Sequence, residues 1–290
     1  MLEQAILKTV AYADVFDYPL TLSEIQRYLI GEAAAIEKTR ALLQNGCLIP
    51  YKLSSFQNHF TLPGRERIVS IRQERAAAAE ILWPRAIYYG QQISKIPFVR
   101  MVALTGALAM RNVDPGADLD YLIVTEPGRL WVSRALVIIL VKIAARQGVI
   151  VCPNYFVSEN ALVIKDRNIF TAHELAQMVV IAGQRIFDRM LAANRWITDY
   201  LPNAWLNNSN ASKNNETYHQ ITKIGEIILR SPMGAWLENW EMGRKIRKFN
   251  LQSAEHPEAN FSADWCKGHF DDHGSKILSA YQQRLFTLEE

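Results

Sequence analysis

The chain is short of most features that narrow function by composition. Cysteine is scarce: Cys47, Cys152 and Cys266 are the only three in 290 residues. An odd, sparse set excludes a disulfide framework and fits a reducing, cytoplasmic setting. An excess of one charge is lacking too. Lys+Arg number 32 against 29 Asp+Glu, a net +3, which does not by itself imply a polyanionic partner. Long apolar runs are missing. The most apolar stretch, residues 130–145, is interrupted by Arg134 and Lys142, and its unbroken part falls short of the roughly 20 residues a spanning helix needs. The N-terminus has no basic region leading into an apolar run, so no signal peptide and no membrane partner are expected. No internal repeat is visible.

What is present is an ordinary globular composition, 49% hydrophobic and 21% charged. The length favours about two domains. Residues 1–64 read as three short helices and a hairpin: a helix over 2–13, one capped by Thr21 with Glu24 completing a capping box, and one over 33–44. Two short apolar stretches, 47–53 and 59–62, flank a polar turn at 54–58. Three helices and a two-stranded wing form a winged-helix pattern. Five basic residues (Lys8, Arg27, Lys38, Arg40, Lys52) meet six acidic ones (Glu3, Asp14, Asp17, Glu24, Glu32, Glu37) in this module. Without a basic excess it is not built like a duplex binder, so nucleic acid is the less favoured partner.

Residues 65–97 predict a helical connector, interrupted at Pro84, with a solvated face carrying Arg65, Arg67, Arg72 and Arg75. Residues 98–170 alternate. A strand over 98–104 leads to Gly106 and a short helix at 107–110. A second strand over 118–125, a long helix over 130–147, a strand over 149–157 and a possible short partner at 162–164 follow. Residues 171–290 predict helices over 171–183, 184–200, 218–247 and 263–288, with an exposed Asn/Ser-rich loop at 203–217. The expected class is α+β, with an α/β core around a small mixed sheet.

The chemistry concentrates in residues 102–125, VALTGALAMRNVDPGADLDYLIVT. A strand delivers a glycine to a short helix, and Asp118 and Asp120 then open a second strand. Positions i and i+2 of a strand share a face. Two carboxylates about 5 Å apart repel by roughly 3 kcal/mol at an effective dielectric near 20, so the pair needs a proton, a cation or open water. Magnesium favours one or two carboxylates plus phosphate oxygens. Gly106 permits close approach of backbone or ligand, and the short helix after it offers its N-terminal N–H groups to a triphosphate.

This pattern resembles the polymerase-beta-type nucleotidyltransferase superfamily, whose signature is a glycine followed by Gly or Ser, then an acid–apolar–acid triplet on a strand. Asp118-Leu119-Asp120 matches the triplet. Together with the winged-helix start and the run at 127–131, the chain looks like bacterial nucleotidyltransferase-domain proteins of unassigned acceptor. The resemblance implies a nucleotidyltransferase fold and transfer of a nucleoside monophosphate from an NTP to an unknown acceptor. It implies Mg²⁺ (or Mn²⁺) held by Asp118 and Asp120, and phosphate contacts from Thr105, Gly106, Ala107 and Arg129. Two departures stand out. Ala107 follows the glycine where the superfamily has Ser or Gly. The strand expected to carry a third carboxylate, VCPNYFV, offers Asn154 instead, and Asn cannot act as a base.

Candidate accessory residues are Asn154, His173, Lys267 and His269. Thr171 and Glu174 read as a second capping box, which accounts for both. Cys266, His269 and His273 fall at i, i+3 and i+7 of the expected last helix, a face read first as packing and surface, next as an edge of the nucleotide site reached by Lys267 or His269, and last as a zinc site, for which a fourth ligand is not visible nearby. The competing functions are a catalytically degenerate nucleotide sensor and a winged-helix nucleic-acid binder.

Overall fold

The structure is a computed structural model and describes residues 1–206, 220–252, 261–267 and 273–289. Its class is mixed α+β. The N-terminal module contains α1 (Leu2–Asp14), α2 (Leu22–Arg27), α3 (Ile36–Gln44), β1 (Ser54–Phe56) and β2 (His59–Thr61). The long α4 (Ile68–Ser94) leads to β3 (Val99–Leu104), α5 (Gly106–Ala109), β4 (Leu119–Thr125), α6 (Leu130–Arg146) and β5 (Val151–Ser158). Next come α7 (Ile169–Gln177), β6 (Val179–Ala182), α8 (Gln184–Ala193), α9 (Ile197–Tyr200) and α10 (Pro202–Leu206). The chain closes with α11 (Gln220–Leu229), α12 (Pro232–Gln252), β7 (Trp265–Lys267) and α13 (His273–Glu289).

Five strands form the main sheet in the order β6-β3-β4-β5-β7. Only β4 and β5 are parallel, joined through α6; the other pairings are antiparallel. The central β4 reads LDYLIVT, nearly continuous in apolar residues because both faces are covered. Its odd positions, Tyr121 and Ile123, pack with Val102 and Leu104 against α4, α6 and α12. Its even positions, Leu122 and Val124, pack with Met101 and Ala103 against α7, α8, α13 and Tyr12 of α1. Asp120 shares that second parity and so faces α1 and α7.

Several expectations need correction. Helix α4 runs for 27 residues straight through Pro84. Proline removes a single N–H, and burial of Ala79, Leu82, Ala86, Tyr89 and Ile93 against the sheet outweighs that loss. This helix is therefore part of the core. The wing's first strand, Ser54–Phe56, falls where a polar turn was expected; the turn is Gln57-Asn58, both at positive φ. Residues 179–182 form edge strand β6 rather than the end of a helix, as the β-branched run Val-Val-Ile suits pairing with β3. Residues 162–164 form no strand. They are fixed by Asn194, whose Nδ2 donates to the Leu162 carbonyl and whose Oδ1 accepts from the Ile164 N–H. Residues 202–206 are helical, and the rest of the Asn/Ser-rich loop lies outside the described residues.

Of the arginines expected on a solvated face, Arg67 is exposed, but Arg65, Arg72 and Arg75 are turned to the N-terminal module. Arg72 grips both carboxylate oxygens of Glu24 at 2.7 and 2.8 Å and lies 4.2 Å over the Tyr18 ring. Arg65 pairs with buried Asp14 at 2.8 Å, and Arg75 donates to the Phe16 carbonyl. These bonds fasten the N-terminal module to the core. Arg72→Ala takes the guanidinium from the Pro19 carbonyl and from Glu24, whose charge then keeps only the neutral donors Tyr18 and Thr21. It should lower stability by about 2–3 kcal/mol in urea denaturation, and Arg72→Lys should recover less than half, because a point ammonium cannot replace the fork.

Candidate functional site

The antiparallel register of β3 and β4 sets Leu104 opposite Tyr121, and the Thr105 N–H donates to the Asp120 carbonyl at 2.9 Å. The next residue, Gly106, therefore sits directly against Asp120. Its φ is +66, and a Cβ there would lie 2.6 Å from Asp120 Oδ2. Both conditions penalise a side chain at this position, the first by backbone strain and the second by displacing the Asp120 carboxylate.

Asp118 is exposed and Asp120 half-buried, and their carboxylate oxygens lie with Cys152 Sγ within 4.8 Å of one another. Cys152 is the parallel-register partner of Asp120. One residue further, β5 bulges: Tyr121 faces Pro153 and Leu122 faces Tyr155, so Asn154 has no register partner. Asn154 instead donates from Nδ2 to Asp120 Oδ1 at 2.6 Å and accepts from the Cys152 thiol at 2.8 Å. Burial and the adjacent Asp118 charge push Asp120 up to about 7, against the opposing bonds from Asn154 and Cys152. Burial and the same acids push the Cys152 thiol up to about 12. Among the described residues, no cation forms an ion pair with Asp118 or Asp120.

The acids open into a cavity of about 400 Å³ between the sheet end and the N-terminal module. Gly106, Ala107, Asp118, Asp120 and Asn154 line its inner end, and Tyr12, Phe16, Tyr18 and Tyr28 line the wall contributed by the module. The two acids and the glycine turn thus share one hollow, as expected. His173 lines it too, but is 4% exposed, stacked on Tyr12 at 4.0 Å and bonded through Nδ1 to the Ile169 carbonyl. Burial lowers it to about 4, so it is neutral at physiological pH and serves as wall. Lys267, on β7, lines the cavity and lies 3.7 Å from Asp166.

Glu174 was missed by sequence reasoning. Helix α7 is capped by Asn168, whose Oδ1 accepts from the Thr171 N–H, so the helix begins before Thr171 and the expected capping box does not form. Released from that role, half-buried Glu174 faces the cavity, and burial together with the Asp120 charge pushes it up to about 7. A helix start two residues earlier, signalled by Asn168, would have turned it inward. A second cavity of about 400 Å³ lies beyond it, sharing Tyr155, Phe170, Glu174 and Lys267 with the first and bordered by Thr105.

Other candidates fall elsewhere. Arg129 lies beyond the far end of β4 from Asp118, capping α6 and lying over Phe98 at 5.2 Å; it does not reach the acids. Lys142 is exposed on α6. Cys266 is on strand β7, 2% exposed and opposite Phe156, rather than on a helix face. His269 and the side chain of His273 lie outside the described residues, and Cys266 joins no metal-type cluster among the described ones.

No protein-family model, curated protein or solved structure matches the chain.

Two outcomes follow from this geometry. Gly106→Ala should drive the Asp120 carboxylate out of place and destabilise the protein by about 1–3 kcal/mol in urea denaturation. Because Asp120 is raised in the folded state, its contribution to stability is complete below about pH 4 and is lost as pH rises through about 7. Without divalent cations, Asp120→Asn, which retains an acceptor for Asn154, should match wild type at about pH 4 and gain on it as pH rises toward 7. At pH 8 it should exceed wild type in melting temperature by a few degrees, at about 2–4 °C per kcal/mol.

Proposed function

We propose that the protein is a divalent-metal-dependent nucleotidyltransferase, moving a nucleoside monophosphate from an NTP to a hydroxyl-bearing acceptor. The observation that carries this reading is the sharing of one cavity by Gly106, Asp118 and Asp120, with the glycine held against a carboxylate by backbone geometry. The order of strand, glycine, short helix and acid–apolar–acid strand supports a nucleotidyltransferase fold.

The donor set fits Mg²⁺ or Mn²⁺. Among the described residues the two crowded carboxylates have no paired cation, and the neighbouring thiol stays protonated at neutral pH, which leaves a hard, oxygen-based site. A bound divalent ion neutralises phosphate charge and stabilises the entering and leaving oxygens of an in-line displacement. Asp118 and Asp120 hold it. Asn154 fixes the orientation of Asp120, and the missing side chain at Gly106 leaves room for that carboxylate at the edge of the cavity. The aromatic wall of the N-terminal module, Tyr12, Phe16, Tyr18 and Tyr28, offers apolar surface for a base.

The third carboxylate absent from β5 is supplied by Glu174 on α7. As the acceptor oxygen bonds to the α-phosphorus, its proton passes to the Glu174 carboxylate. The bond from that phosphorus to the bridging oxygen breaks, and pyrophosphate leaves.

In a melting assay, the preferred NTP with Mg²⁺ should stabilise wild type by about 2.7 kcal/mol at a hundredfold excess over Kd. Asp118→Asn/Asp120→Asn should abolish the shift. Absence of any shift with four NTPs and either Mg²⁺ or Mn²⁺ refutes the reading. With α-labelled NTP and cell extract, transfer of label by wild type distinguishes an enzyme from a sensor. Glu174→Gln should keep the melting shift and lose about 100-fold or more in transfer rate.

A further inference from the structure

Helices α11 and α12 form a hairpin whose inner side is tied to the core by buried groups. Thr222 Oγ1 donates to the Lys95 carbonyl at 2.9 Å. Glu226 accepts from the Phe98 N–H at 3.0 Å and from Arg100 at 2.7 Å. Glu238 accepts the Trp131 and Val132 N–H groups at 2.9 and 2.7 Å, capping α6. A Cβ on Gly225 would lie 2.8 Å from Pro97. With the inner side seated this closely, the orientation of the outer side is fixed.

That outer side is apolar. Ile224, Ile227 and Ile228 follow helical spacing on α11, and Met233, Trp236 and Trp240 do so on α12. All six are more than half exposed, from 51% at Trp240 to 71% at Ile227, and the two indoles stack 6.1 Å apart. The charges divide by sign. Glu226, Glu238 and Glu241, the acids within 220–252, are all buried, whereas Lys223, Arg230, Arg244, Arg247 and Lys248 are exposed. Arg230 also pairs with Glu126, and Arg244 with Glu241.

We propose that this hairpin lies on an anionic lipid surface, with the isoleucines and tryptophans in the headgroup–acyl boundary and the lysines and arginines against lipid phosphates. An uncovered aliphatic and indole face flanked by cations alone is the composition that such a surface binds. A two-fold dimer through the same face would bring like charges into opposition, which costs affinity. A nucleic acid would satisfy the cations and leave the isoleucines in water. No helix among the described residues is long and apolar enough to cross a membrane. The expectation of no membrane partner rested on the missing spanning run and the missing signal-peptide pattern, and lying on a surface needs neither.

The test uses the full chain and co-sedimentation with vesicles of equal parts phosphatidylglycerol and phosphatidylcholine, against vesicles of phosphatidylcholine alone. Anionic vesicles should bind the protein at least about tenfold more strongly, with affinity falling as salt rises. Trp236→Ser/Trp240→Ser should reduce binding about tenfold or more while leaving the melting temperature within 2 °C or so, since both side chains are mostly in solvent. Lys223→Glu/Lys248→Glu should weaken binding independently. No binding to anionic vesicles, or binding indifferent to both pairs of substitutions, overturns the proposal. So does a concentration-dependent dimer that the tryptophan substitutions dissociate, because the face is then covered by a second copy.

Discussion

The contact between the Gly106 backbone and the Asp120 carboxylate sets the geometry of the cavity. It follows from the register of two neighbouring antiparallel strands, one ending at Leu104 and the other starting at Leu119. Once Thr105 bonds to the Asp120 carbonyl, residue 106 turns at positive φ, where a Cβ would displace the Asp120 carboxylate. The turn starts α5, which supplies part of the cavity wall. The carboxylate, blocked on one side, is directed to Asn154 and the hollow. A one-residue slip would turn Asp120 toward α4 and the apolar side of the sheet. The apolar alternation of β3 and β4 on two buried faces therefore protects the site as well as the core.

The site also depends on a unit that sequence reasoning kept apart from it. The N-terminal module reads as a winged helix, and its near-balanced charge argued against duplex binding. In the structure its aromatic residues face the sheet, and Tyr12 stacks on His173 of α7. Three arginines, Arg65 just before α4 and Arg72 and Arg75 on it, hold it in that position. Each takes acids or carbonyls from the module, so the charges that looked like a solvated stripe are largely consumed internally. This explains how a small module with a modest core of its own supplies one wall of a cavity.

Much of the central fold was legible because it is written in local signals. Thr21 and Glu24 form the capping box they announce. The strands around Gly106 and the long α6 fall within two residues of the expected bounds. What was not legible depends on partners distant in sequence. The edge strands β6 and β7 are three or four residues long and are defined by what they pair with. The continuity of α4 through Pro84 is decided by burial against the sheet. Asn154 was weighed as a failed acid, yet its position depends on a bulge that no local pattern marks. Glu174 was hidden by a competing local explanation: a Thr-x-x-Glu box is persuasive until Asn168, three residues upstream, is seen to cap the helix first.

Acids at the two ends of the sheet show why only one end reads as a site. At the β3 start, burial opposes ionisation of Glu226, but Arg100 and the Phe98 N–H overcome it and hold the carboxyl below its usual range. Arg100 also pairs with Glu126, and Arg230 adds a second cation. That network is electrostatically complete and needs nothing from outside. At the other end, the Asp120 and Asp118 carboxylate oxygens lie within 4.8 Å of one another, and the bonds to Asp120 come from a neutral amide and a neutral thiol. Neither neutralises a charge. An acid pair left in that condition beside an open cavity is stabilised by whatever cation enters, and the energy recovered is of the order of the roughly 3 kcal/mol repulsion that the pair otherwise bears. The sheet thus sets Arg100 of β3 among the acids at one end, whereas among the described residues no cation pairs with Asp118 or Asp120 at the other.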